Sequence, residues 1–321
     1  MAAESPIQHL VVPIDVAGDS RMAAGIVRGL VHSGDEVTFL HVIQPLETAG
    51  VLLPKSVPIE SITRGIREDA RQRLAQQVAE AQLPDDVQVR SIIVDGNPGE
   101  EIVHYASRPE ITMVVMETAG RGAATRMMIG SVADHVARSA SVPVLLVRES
   151  ADGGTFPSKL KRIVVPLDGS RRARLALPSA ARLSRQLDAP VHLISVSAID
   201  KYSYALSAGF SLAAYDELAE SGSRQLRAML RAVEMELSSQ GIEVSAALYT
   251  GTVAQAIQDA LRPGDLIVMA SHGRSGIRRW MLGSVAEQLI RKGTAPVMLV
   301  PALDLIEHDE AASNTVASLQ H

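Results

Sequence analysis

The sequence predicts an α/β protein of two tandem domains, each an open five-stranded parallel sheet with helices on both faces. Three observations predict it. Four segments recur at one spacing of 153 residues. The recurring strand segments are short and apolar throughout, as strands covered on both faces are. Helical patterns lie between them.

The elements follow in chain order. Leu10 to Asp15 reads LVVPID, a buried strand that ends on an acid, and Ile163 to Asp168 repeats it as IVVPLD. Val37 begins VTFLHV, matched by VHLISV from Val191 with one residue of drift, as small loop insertions produce. Gln44–Ile62 and Ala198–Tyr215, after the second strand of each half, are expected to begin as loops and to cover a site. Met113 to Met116 (MVVM) pairs with Leu266 to Met269 (LIVM). IGSVADH from Ile129 pairs with LGSVAEQ from Leu282, and VPVLLV from Val142 with APVMLV from Ala295. Arg172–Leu187 and Ala219–Leu237 carry leucines and alanines at helical spacing. The segment Arg148–Lys159, rich in Gly, Ser and Pro, reads as the linker, giving domains 1–150 and 151–321. The tail beyond Leu303 is polar and expected to be mobile.

Composition narrows the function. The net charge is −5, which argues against a nucleic-acid binder, since these carry a basic excess. There are no cysteines, so disulfides, thiolate metal sites and cysteine nucleophiles are excluded. Met1 to Gln8 lacks the basic start and apolar stretch of a secretory leader, and no apolar run reaches the roughly 18 residues that span a bilayer. The expected location is the cytoplasm, with no membrane partner.

The chemistry concentrates in Met269–Lys292. A strand ends at Met269, Gly273 follows in a loop, and Gly283-Ser284 opens a helix. A glycine at a helix start lets an anion approach unpaired N–H groups at the positive end of the helix dipole. Ser284 and Glu287 also have the S-x-x-E spacing of a capping box, so helix capping and phosphate binding both remain open readings. Asp168, at the end of the first strand, is placed to meet a ribose or base at the strand switch point, or to serve as a turn residue. His272 reads as a loop histidine. Arg274, Arg278 and Arg279 form a basic loop, and Met281 and Leu282 suit packing. No G-x-G-x-x-G follows either first strand and no G-x4-G-K-[ST] occurs, so dinucleotide dehydrogenases and P-loop enzymes are disfavoured.

With these residues in view, each half resembles the universal stress protein family. Its nucleotide-binding members carry G-x2-G-x9-G-[S/T] after the fourth strand and an Asp ending the first. Here the second half shows A-SH-G-RSGIRRWML-GS from Ala270 to Ser284, with Ala270 in place of the first glycine. The resemblance implies two Rossmann-like domains of the adenine nucleotide alpha hydrolase-like type that bind ATP, with Mg2+ or Mn2+ accompanying it. It implies that Leu167 and Asp168 lie at the adenosine end, that Val196 lines the adenine pocket, and that Pro166 and Ser170 belong to the nucleotide site. Gly273, Arg274, Gly283, Ser284 and Val285 would hold the phosphates, with Met269, Ala270 and His272 in the same nucleotide site. In the first half the corresponding positions are Ile14, Asp15, Val42, Gly120, Arg121, Gly130, Ser131 and Val132. That half departs further: Glu117 stands where the first glycine belongs, Ala119 matches His272, and the loop after Asp15 is VAGDS rather than GS. A carboxylate near phosphates repels them unless it points away or a cation bridges. The expectation is therefore ATP in the second half and little or none in the first. Members of the family pair through an edge strand, so pairing of the two domains within the chain, or of two chains, is implied as well.

Three functions follow for testing. The first is a nucleotide-dependent stress-response module read by a protein partner. The second is a slow ATP hydrolase, for which no nucleophile–base pair stands out. The third is an assembly module that binds no nucleotide.

Overall fold

The computed structural model describes residues 8–18, 21–45, 59–118, 129–148, 160–197, 212–271, 282–293 and 295–302. The linker, the polar tail, the glycine-containing loops 119–128 and 272–281, and the greater part of both segments expected to cover a site lie outside these residues. The chain forms two compact units, the second beginning at Leu160.

The first unit runs β1 (His9–Pro13), α1 (Arg21–Leu30), β2 (Glu36–Ile43), α2 (Ile59–Ala81), β3 (Gln88–Asp95), α3 (Pro98–Ala106), β4 (Met113–Glu117), α4 (Ser131–Ser139) and β5 (Val144–Val147). The second repeats it: β6 (Arg162–Pro166), a 3-10 turn (Ala173–Leu175) leading into α5 (Ala176–Leu187), β7 (Val191–Ser197), α6 (Leu212–Ser239), β8 (Val244–Thr250), α7 (Val253–Ala260), β9 (Asp265–Ala270), α8 (Ser284–Lys292) and β10 (Val297–Val300). Within each unit the paired strands are parallel, in the order β3-β2-β1-β4-β5 and β8-β7-β6-β9-β10.

This order has a cause. Right-handed crossovers carry the chain outward from β1 to β3 and then across β1 to β4, so α1 and α2 cover one face and α3 and α4 the other. Helix α1 accordingly meets α2, and α3 meets α4. Strands in the middle are buried on both faces: Val114, Val115, Ile163, Val164, Ile267 and Val268 are wholly inaccessible. The edge strands β3 and β8 are mixed and half-exposed, because each has a neighbour on one side alone. The reversal of strand order falls between β1 and β4, and between β6 and β9. There the crossovers diverge and leave a crevice at the carboxyl ends, where ligands of such sheets bind.

The predicted helix Arg172–Leu187 begins later, as a 3-10 turn at Ala173 and an α-helix at Ala176. The helix predicted at Ala219–Leu237 is longer, reaching from Leu212 to Ser239. No helix among the described residues is long and apolar enough to cross a membrane.

Candidate functional site at the carboxyl ends of the strands

In the second unit the end of β6 is gripped from the side. The N–H of Leu167 donates to Ile194 O at 2.7 Å, and the Ser195 hydroxyl donates to Leu167 O at 2.5 Å. Leu167 is thereby fixed at 2% exposure, and the chain leaves the sheet at Asp168. Asp168 Oδ1 accepts from the N–H of Ser170 at 2.9 Å, and the Ser170 hydroxyl accepts from the N–H of Ala173 at 3.1 Å. Gly169 between them has φ +82, which a side chain disfavours. Asp168 and Ser170 therefore build a turn that starts the 3-10 segment, as the turn reading holds. Asp168 Oδ2 has no partner among the described residues, so the turn leaves one carboxylate oxygen available.

The next strand brings the helix start alongside. The register Val164↔Ile267 continues to place Met269 and Ala270 beside the end of β6, while Val196 lies beside it on the other flank. Ala270 and Ser271 are buried. The N–H of Ser271 donates to Val300 O at 2.9 Å, and Ser271 O accepts from Gly283 N–H at 3.4 Å. The two ends of the intervening segment are thus tied together. The carbonyl of Gly283 accepts the N–H of Glu287 at 2.8 Å, the first bond of α8. Gly283 is therefore the N-cap and Ser284 the first helical residue, which corrects the capping-box reading. A capping box needs the serine at the N-cap, and the residue there has no side chain. The N-cap glycine brings no side chain of its own to the first-turn N–H groups of α8, and a helix start of this kind favours an anion. Ser284 is exposed, and Val285 is half-buried. The helix is held by Ala286, Leu289 and Ile290, all nearly inaccessible, and Leu282 packs as expected.

The first unit repeats these contacts almost atom for atom. Ile14 N–H donates to Leu40 O at 2.8 Å, and His41 Nδ1 meets Ile14 O at 2.8 Å where Ser195 meets Leu167. Only a protonated Nδ1 can donate to a carbonyl, which fixes the tautomer of His41. Asp15 Oδ1 accepts from Ala17 N–H at 3.0 Å, again a turn. Buried Thr118 stands for Ser271: its N–H donates to Val147 O at 2.9 Å and its O accepts from Gly130 N–H at 2.7 Å. Gly130 is the N-cap of α4 with no side-chain cap, ahead of exposed Ser131 and half-buried Val132. Val42 is half-buried near the end of β2.

The units differ at Glu117, the last residue of β4. Its Oε1 accepts the N–H of Ala23, in the first turn of α1, at 3.1 Å. The carboxylate is thus directed to the α1 helix start, which borders the same crevice. The second unit has Ala270 there, and the Ser170 hydroxyl caps the following turn instead.

The structure therefore brings Pro166, Leu167, Asp168, Ser170, Val196, Met269, Ala270, Gly283, Ser284 and Val285 to one end of one sheet. It does the same for Ile14, Asp15, Val42, Gly130, Ser131 and Val132. His272, Gly273, Arg274, Gly120 and Arg121 lie outside the described residues. Sequence reasoning missed Thr118, Ser271, His41 and Ser195, whose bonds tie the strand ends to their neighbours. The hydroxyl pair could have been found, since Thr118 and Ser271 stand one repeat apart. No group of three or more His, Asp or Glu that could hold a metal occurs among the described residues.

Strong charge pairing lies at the opposite end of the second sheet. Arg162 makes a bidentate pair with Asp265 (2.9 and 2.6 Å), and Arg162 also donates to Ala260 O at 3.0 Å. Asp265 is 2% exposed and accepts a further bond from Arg262 N–H at 2.7 Å. Burial, with Arg162 and Arg262 close by, lowers the pKa of His192 below the ordinary histidine value, against the opposing pull of Asp265. Burial also lowers that of His9, against Glu36.

Comparison with known proteins agrees with this architecture. The sequence model of the Universal stress protein family matches residues 6–148 and again residues 159–301. A universal stress protein of Mycobacterium tuberculosis is 27% identical over 212 residues, covering 66% of this chain and 68% of that protein. One of Methanocaldococcus jannaschii is 30% identical over 142 residues, covering 44% of this chain and 81% of that protein. The crystal structure of a universal stress protein from Archaeoglobus fulgidus shares the fold, with a TM-score of 0.62 at 20% identity, over 92% of this chain and 98% of that one.

Proposed function

This chain belongs to the universal stress protein family, two copies in tandem, and from that membership we propose that its second half holds one adenine nucleotide, ATP, at the end of β6 and β9. One observation carries the proposal: the N-cap of α8 is a glycine without a side chain, bonded to the residue that follows β9, the strand paired with β6 at the switch point. An open helix start favours phosphate, and the spare oxygen of Asp168 suits a ribose hydroxyl. Leu167 and Val196 supply the apolar contact for a base, and Mg2+ or Mn2+ comes with the phosphates. The first half holds nucleotide weakly or not at all, because the Glu117 carboxylate already occupies the positive end of α1 beside its crevice.

The nucleotide acts in this reading through conformation rather than fast catalysis. Occupancy biases the segments that border the crevice, and a protein partner in the cytoplasm reads the difference during stress. Pairing of the two domains, or of two chains, completes the assembly. Gly283→Val tests the site. A branched side chain at the N-cap blocks close approach of phosphate, so ATP affinity falls at least tenfold while far-UV dichroism is unchanged. Undiminished affinity in a folded Gly283→Val protein refutes it.

A further inference from the structure

In both units the long second helix packs against the second and third strands, α2 on β2 and β3, α6 on β7 and β8. The central anchor of α2 is Leu74, and that of α6 is Leu230, both buried. Val233 and Leu237 are buried beside Leu230, which fixes the side of α6 that meets the sheet. The helical period then sets the outward side. It carries Arg224, Arg227 and Arg231, all exposed, at i, i+3 and i+7, and one turn further Met235. Met235 is 73% exposed, more than any other large apolar side chain among the described residues.

The two helices differ in how their charge is met. From Ser223 to Val233, α6 has these three arginines and no acidic residue. The corresponding stretch of α2, counted from the anchors, is Arg67 to Gln77. It also has three arginines, and each is paired: Arg67 with Asp95, Arg71 with Glu68 at 3.5 Å, and Arg73 with Asp69 at 2.8 Å. In α6, Arg224 has Glu220 at 3.5 Å, an exposed contact of small worth. Arg227 and Arg231 have no carboxylate partner among the described residues. Like charges three and four residues apart repel along a helix, so the stripe costs α6 stability until opposite charge meets it.

We propose that this face of α6 is a docking surface for an acidic helix of a protein partner, and that the second half alone carries it. Carboxylates at the spacing of Arg224, Arg227 and Arg231 meet the guanidiniums, and an apolar side chain one turn further covers Met235. Exposed Ala228 and Ala232 beside the stripe let such a helix lie close. Arg224 to Arg231 spans about 10 Å of helix. Glu220 precedes the stripe and Glu234 follows it. A nucleic acid duplex carries its charge past both ends and meets those carboxylates, on a chain whose net charge is −5. A short acidic helix does not. Docking here does not depend on nucleotide in the crevice.

The probe is an alanine-based helical peptide with glutamates at i, i+3 and i+7 and a leucine at i+11, fluorescently labelled and titrated with the full chain by anisotropy. The expected result is one saturable site per chain, weakened by added salt. A peptide of the same composition with its glutamates spread round the helix binds at least tenfold more weakly. Arg227→Glu/Arg231→Glu weakens binding at least tenfold and Met235→Ser at least twofold, and both, being exposed substitutions, leave far-UV dichroism unchanged. Arg71→Glu/Arg73→Glu, on α2, leaves the affinity unchanged. Absence of a saturable site in the wild type, undiminished affinity in either α6 variant, equal loss in the α2 variant, or equal affinity for the rearranged peptide overturns the proposal. So does tighter binding of a DNA duplex under the same conditions.

Discussion

In both halves the segment after the fourth strand is closed by the same bond, from the N-cap glycine to a buried hydroxyl residue, Gly130 to Thr118 and Gly283 to Ser271. In both, the residue before the strand-end aspartate is gripped through its N–H and its carbonyl. What hangs on this common skeleton differs. At the carboxyl end the first half places a carboxylate, Glu117, where the second has the methyl of Ala270. At the opposite end the second half buries the ion pair Arg162–Asp265, where the first has His9 and Thr112, joined by neutral bonds of 3.2 and 3.1 Å. Backbone bonds set the sheet and have no reason to vary between copies. Side chains at the sheet ends are free to diverge, so the charge at each end is where the two copies of one fold differ most.

The opposite end should give the largest effect. Asp265→Ala takes the carboxylate from the part-buried Arg162 guanidinium and the acceptor from Arg262 N–H, and is expected to destabilise the second unit by about 3–5 kcal/mol. Thr112→Ala, the corresponding change in the first unit, removes only neutral bonds and should cost about 1 kcal/mol. Urea unfolding of both variants checks this, and equal midpoint shifts would erase the distinction. Next comes Glu117→Ala, which removes the tie to α1 and should cost about 0.5–2 kcal/mol, as loss of a cap does. Hydrogen exchange at the Ala23 amide should accelerate, and an unchanged rate would show that the contact bears no load.

Much of the skeleton was legible before the structure. The repeat gave the eight buried and near-buried strands β1, β2, β4, β5, β6, β7, β9 and β10, because apolar runs and a fixed offset reinforce each other. The edge strands β3 and β8 carried no such signal, since one flank of each faces solvent and admits polar residues. Asp168 was legible as a strand end and Gly283 as a helix start, because both positions leave local marks. The contact of Glu117 with Ala23 left none. It joins residues 94 apart and depends on which way one side chain turns, which no local pattern records. Ser284 was misplaced by one position for a related reason: S-x-x-E states a spacing, and the carbonyl that starts the helix decides which residue is the cap.

The smallest effect concerns pH. The folded chain binds a proton at His192 less readily than the unfolded chain does, because the folded pKa is lowered. Its contribution to stability is therefore complete above the ordinary histidine value of ~6.5 and is lost as the pH falls through the lower folded value. His192→Asn should flatten the fall in Tm of the second unit between neutral and mildly acidic pH. An equally steep fall in the variant assigns the acid sensitivity elsewhere.

The central claim is the asymmetry of the two crevices, and the adenine nucleotide released from the purified, denatured protein measures it most directly. The account predicts about one nucleotide per chain, lost in Gly283→Val and retained in Gly130→Val. Two per chain, or loss in Gly130→Val with retention in Gly283→Val, would contradict it.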